Sequence, residues 1–215
     1  MALIQQETTV QDARKNVAIL VFDGVEILDW GGPAEVFAAA GDYHVYTVAA
    51  SKTPIMCQGF IKIQPEYSIE DCPKPDIIVL PGGNMMAPLE DPKIIEWVKS
   101  NEPHLETLLS VCTGAFILDK AGLLEGKKAT TFHNAIEELR KMATKTEVLE
   151  GVRWVDNGKI ITTAGVSAGI DGSLRVIDRS LGREKALATV KYMEYDHWNP
   201  DQGVVVDSIS RVIKQ

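Results

Sequence analysis

The chain has 215 residues, 45% of them apolar and 24% charged, with a formal net charge of -8. That length suits one large domain with a sizeable core, and the composition is ordinary for a soluble globular protein. A net negative charge without a long basic run argues against nucleic acid or an anionic membrane surface as partner, since both reward clustered Lys and Arg. No apolar run approaches the ~20 residues of a membrane span.

The three cysteines, Cys57, Cys72 and Cys112, lie far apart and show no CxxC spacing. They cannot complete a disulfide framework, so a reducing compartment is expected. The opening MALIQQETTVQDARKN has no apolar h-region. It reads as a polar extension over 1–15, ahead of a single domain over 16–215. The expected location is the cytoplasm, provided no export signal has been removed.

In chain order, 16–22 is a continuous apolar run, the mark of a strand buried on both faces. Gly24 breaks it. A helix is expected over 31–40 with Pro33 in its first turn. A strand follows at 43–50 and an extended or hairpin segment at 55–65. A buried strand at 76–83 ends in a glycine turn. A helix at 91–101 starts on Asp91 and Pro92. Next come a strand at 105–111, a helix at 113–124, a strand at 127–132 and a helix at 134–143. The pattern at 152–165 reads as a hairpin around Asn157 and Gly158. Ile170, Leu174, Ile177 and Leu181 share one face of a helix closing at Gly182, and another helix spans 183–196. The tail is expected to be a short helix or an interface segment.

Strands alternating with helices predict an α/β domain with a mostly parallel sheet. Ligands bind such sheets outside the carboxyl ends of the strands. Three stretches qualify: 23–32, 81–83 and 112–114.

In LLSVCTGAF, Cys112 stands between a buried strand and a helix. A free cysteine is commonly packed in a core. An elbow, however, holds its side chain proud of the sheet, and the helix behind it favours a thiolate. In LPGG, paired glycines allow close backbone approach, so N–H groups there, with those of Thr113 and Gly114, are candidates to stabilise developing negative charge. In DGVEILDWGGP, Asp29 lies between Leu28 and Trp30, an apolar setting in which an acid facing a thiol can share or shuttle a proton. Asp23 reads as a loop acid, and Glu26 stays open. His133 is the candidate partner for a Cys–His pair. Histidine and cysteine spacings give no metal site, and no phosphate-binding glycine motif is present.

VFDGVEILDWGGP, IIVLPGG, SVCTGAFILDKAGLLEGKKATT and TTAGVSAGID, taken together and in this order, resemble the DJ-1/PfpI superfamily, a relative of the class I glutamine amidotransferase domain. The likeness runs from about 16 to 196 and is strongest to the isonitrile (isocyanide) hydratase branch and to amidase-like domains of AraC-type regulators. It implies a flavodoxin-like α/β fold with helices on both faces of the sheet, a homodimer, and no cofactor. It implies that Cys112 is the nucleophile, that Asp29 is the acid hydrogen-bonded to it, that Gly83 and Thr113 supply anion-stabilising amides, and that Val166 sits against the cysteine turn. One position departs from the pattern. Many members carry His directly after the Thr pair, where this chain has Phe132, with His133 one step later.

The expected activity is therefore hydration of a small isonitrile to an N-substituted formamide, with a Cys112 thiolate as nucleophile and Asp29 as acid and base. Trp30, Val166 and His133 are the expected pocket residues. The alternatives are a glyoxalase-type or amidase activity at the same thiol, or a non-enzymatic cysteine redox sensor.

Overall fold

A computed structural model describes residues 14–206. The polar N-terminal stretch and the tail beyond Val206 lie outside the described residues. The elements are β1 (Lys15–Leu20), α1 (Ile27–Ala40), β2 (Tyr43–Ala49), β3 (Ile55–Cys57), β4 (Ile61–Ile63), β5 (Tyr67–Ser68), β6 (Ile77–Leu80), α2 (Met86–Glu90), α3 (Pro92–Asn101), β7 (Thr107–Ser110), α4 (Ala115–Lys120), β8 (Lys128–Ala129), α5 (Ile136–Met142), β9 (Glu147–Val148), β10 (Trp154–Asp156), β11 (Ile160–Thr163), α6 (Ala168–Leu181), α7 (Arg183–Tyr192) and β12 (Val204–Val205).

Eight strands form the central sheet in the order β12-β10-β11-β7-β6-β1-β2-β5. Neighbours are parallel except β10 and β11, which form the hairpin expected around Asn157 and Gly158. Helices cover both faces, and the period of two along each strand sorts its side chains between them. Val17 and Ile19 pack with Phe37 of α1 and Leu174 and Ile177 of α6. Ala18 and Leu20 pack with Trp97 of α3 and Ile117 of α4. This is the mostly parallel, flavodoxin-like α/β architecture that the apolar runs predict.

Three local expectations need correction, and each bears on the site. First, α1 starts at Ile27, not at 31, so Pro33 sits inside the helix and Asp29 lies in its first turn. The Pro33 ring faces α6 closely, since a Cβ added to Gly169 would lie 3.4 Å from it. Second, the helix expected at 113–124 opens as a 3-10 turn over Cys112–Gly114, and α4 has only six residues. Third, the strand expected at 127–132 shrinks to Lys128–Ala129, which pairs with β9 in a separate small sheet. Its Thr pair makes side-chain hydrogen bonds instead. The Thr130 N–H donates to Thr162 Oγ1 at 2.9 Å, and the Thr131 hydroxyl donates to the Cys112 carbonyl at 2.7 Å.

Candidate active site

β11, β7, β6 and β1 are consecutive in the sheet, and their carboxyl ends bring together four segments. These are the turn at 164–167, the Cys112 elbow, the Pro81–Gly83 turn and the start of α1. Close packing between the segments depends on missing side chains. A Cβ on Gly82 would lie 2.7 Å from the Thr113 nitrogen, and a Cβ on Gly114 would overlap the Leu80 carbonyl oxygen.

Cys112 has φ 57°, a left-handed conformation uncommon outside glycine. Its backbone is pinned on both sides. The Cys112 N–H donates to the Ala164 carbonyl at 3.1 Å, and its own carbonyl accepts from Thr131. Strain of this kind costs roughly 1–3 kcal/mol and persists where surroundings over-determine it. Cys112 is 6% exposed.

Asp29 is fully buried. Its Oδ2 accepts the Gly82 N–H at 2.9 Å. Its Oδ1 has no donor with good hydrogen-bond geometry among the described residues. Cys112 and the Val166 N–H are the further groups that bear on this carboxyl. Burial raises the Asp29 pKa from 3.8 to about 7, against the opposing pull of the Gly82 amide, and the charge of Glu26 adds to the rise. Burial likewise pushes the Cys112 thiol up, to about 12, and the Asp29 charge adds to it; the Thr113 and Val166 amides pull the other way. Burial and the neighbouring carboxylate thus work against the thiolate that the strand-to-helix turn favours. A six-residue helix and two amides are outweighed by burial and a neighbouring carboxylate. Both groups are shifted toward their protonated forms by the same burial.

The other expected site residues divide. The Gly83 N–H, expected as an anion-stabilising amide, is committed to Thr113 Oγ1 at 3.1 Å; this leaves the Thr113 hydroxyl hydrogen free to donate onward in its place. The Gly114 N–H is committed to the Val111 carbonyl at 2.9 Å, because the 3-10 turn uses it. It is not a free anion-stabilising donor in this conformation. Val166 has φ 51°, and its amide favours the charged forms of Asp29 and Cys112. Trp30 follows Asp29 on α1 and packs against both core layers. His133 is exposed in a 3-10 turn and meets the Phe132 ring edge-on, with centroids 4.3 Å apart. Phe132 packs in the same core layer as Cys112, and a Cβ on Gly165 would overlap its ring. An apolar ring thus occupies the position next to the Thr pair.

Two contributors escape the sequence reading. Thr131 has no motif of its own beyond the Thr pair. Gly82 was overshadowed by Gly83, although its N–H is the one that holds Asp29. Among the described residues, no cluster of His, Cys, Asp or Glu could hold a metal ion.

The DJ-1/PfpI family model matches residues 15–179. The chain is 33% identical over 183 residues to an isonitrile hydratase of Pseudomonas putida, covering 83% of this chain and 78% of that protein. It is 27% identical over 179 residues to a Parkinson disease protein 7 homolog of Danio rerio, covering 81% and 94% of the two chains. Among solved structures, a ThiJ/PfpI family protein from Pseudomonas syringae superposes with a TM-score of 0.79 at 26% identity, over 93% of this chain and 84% of that one. With the match spanning the sheet, the elbow and the acid, the chain belongs to the DJ-1/PfpI family.

Proposed function

We propose that this protein hydrates a small isonitrile to the N-substituted formamide, with Cys112 as nucleophile and Asp29 as the proton carrier. The observation that carries the reading is the buried Cys112–Asp29 pair, with Asp29 held by the Gly82 N–H and burial pushing both groups toward their protonated forms. Such a pair suits an electrophile that must receive both a sulfur and a proton at one carbon. The similarity to an isonitrile hydratase supports the choice of substrate.

The steps follow from that pair. Asp29 carboxylate takes the thiol proton as Sγ bonds to the terminal isonitrile carbon. The same proton passes to that carbon, giving a thioimidate, R–N=CH–S–Cys112. Water then adds to the imidoyl carbon, with Asp29 as base and the nitrogen taking a proton. The C–S bond breaks, the sulfur is reprotonated, and R–NH–CHO leaves. The Thr113 hydroxyl, with Gly83 as its donor, is free to donate to the oxygen that forms. No histidine is required. The exposed His133 and the apolar Phe132 favour this route over Cys–His amidase chemistry.

The reading includes a cytoplasmic homodimer, checked by light scattering after size exclusion. Among the described residues, no helix is long and apolar enough to cross a membrane. The direct test supplies an aryl isonitrile in ¹⁸O-water. Formamide carrying one heavy oxygen is expected. Failure to consume the isonitrile, with turnover of a dicarbonyl or an amide instead, would replace the assignment.

A further inference from the structure

The turn at 164–167 sends no side chain into the proposed chemistry, yet its backbone is tightly constrained beside Cys112. The Ala164 carbonyl accepts the Cys112 N–H at 3.1 Å. Val166, with φ 51°, holds a conformation that β-branched residues rarely adopt. A strained residue stays in place only when its surroundings hold it there. Phe132 packs against Gly165 on one side of the turn. Arg153 contacts the turn as well.

Arg153 grips the turn twice. Its carbonyl accepts the Ala164 N–H at 2.9 Å, and its Nη2 donates to Ser167 Oγ at 3.2 Å. The guanidinium is itself locked. Its Nε donates to Asp171 Oδ2 at 2.7 Å, and Nη2 reaches the same carboxylate. Asp171 is 3% exposed, and its Oδ1 accepts the Tyr195 hydroxyl at 3.1 Å. A fork held by a buried, doubly bonded carboxylate has little freedom, which is the condition for fixing a neighbouring backbone.

We propose that Arg153, locked by Asp171 and Tyr195, is a positioning residue that holds the 164–167 turn, whose Ala164 carbonyl accepts the Cys112 N–H, and thereby sets the reactivity of the Cys112 thiol. The inference rests on Cys112 being the reacting thiol, but not on an isonitrile being its substrate. The bias of the Val166 amide toward the charged form of Cys112 agrees with it. Arg153 touches neither reacting atom and acts only through the turn.

The test is alkylation of the full chain by iodoacetamide at pH 9, read by peptide mass at Cys112, Cys57 and Cys72 separately. Arg153→Gln is expected to slow Cys112 labelling about tenfold, the loss of one hydrogen bond to a charged acceptor. Arg153→Lys is expected to recover part of that loss. Ser167→Ala leaves the Arg153–Asp171 ion pair intact and is expected to slow Cys112 in the same direction. It decides the matter alone if Arg153→Gln does not fold. General loosening has the opposite sign, since it accelerates Cys112 together with the buried Cys57. Labelling of Cys112 that is faster in the variants, or within twofold of wild type, overturns the proposal. Wild type that alkylates as expected but converts no isonitrile overturns the proposed substrate and leaves this inference standing.

Discussion

Replacing Asp29 with Asn isolates the cost of burying that acid. In the folded protein the carboxyl holds its proton up to about pH 7, against an ordinary value of 3.8. The unfolded chain releases the proton near the lower value. Between the two, folding takes up a proton, so stability falls as pH rises through that window. Below it the contribution vanishes, and above it the full penalty applies. The interval from 3.8 to about 7 is worth about 4 kcal/mol at ~1.36 kcal/mol per tenfold. Asn is isosteric and its carbonyl can still accept the Gly82 N–H, but it does not titrate. The unfolding free energy of Asp29→Asn minus that of wild type should therefore grow by about 4 kcal/mol between pH 4 and pH 8. Urea denaturation at both pH values measures it, and the subtraction cancels the shared groups that Asp29 does not perturb. The variant should be the more stable protein at pH 8 and the less active one. Its Cys112 should also alkylate faster, because the charge that raises the thiol is gone. A difference that stays flat with pH, or that shrinks, would falsify the picture of Asp29 as a buried acid held well above its ordinary range.

Other consequences are equally concrete. Thr131→Val removes the hydrogen bond to the Cys112 carbonyl, and melting should show a loss of about 1 kcal/mol with turnover falling several-fold. Gly114→Ala drives a Cβ into the Leu80 carbonyl oxygen, and soluble expression should collapse; a folded, active variant would mean that β6 and the elbow are not in contact. With the thiol pushed up to about 12, iodoacetamide labelling of Cys112 in wild type should keep rising about tenfold per pH unit through pH 9. A plateau below pH 8 would instead mean a stabilised thiolate.

The apolar runs at β1, β6 and β7 made the parallel sheet legible, because strands buried on both faces show no polar alternation to confuse them. The elbow was legible from the small residues around Cys112, and Asp29 from its apolar neighbours. The start of α1 was not. Pro33 signals a first helical turn, whereas the helix starts at Ile27 and carries the proline in its interior. The pair at Thr130 and Thr131 read as a strand because β-branched residues suit one, whereas tertiary hydrogen bonds claimed both. The thiolate expectation followed from local context alone. Burial beside a carboxylate is a tertiary fact, and it opposes the local effect. The same holds for Arg153 and Asp171, whose 18-residue separation carries no local pattern.

The central claim is that Cys112 performs the chemistry without a histidine. The most direct measurement is turnover of a simple aryl isonitrile to its formamide by wild type, Cys112→Ala and His133→Ala side by side. The account predicts formamide from wild type and His133→Ala at comparable rates, and none above background from Cys112→Ala. Undiminished turnover by Cys112→Ala, or its loss in His133→Ala alone, would contradict it.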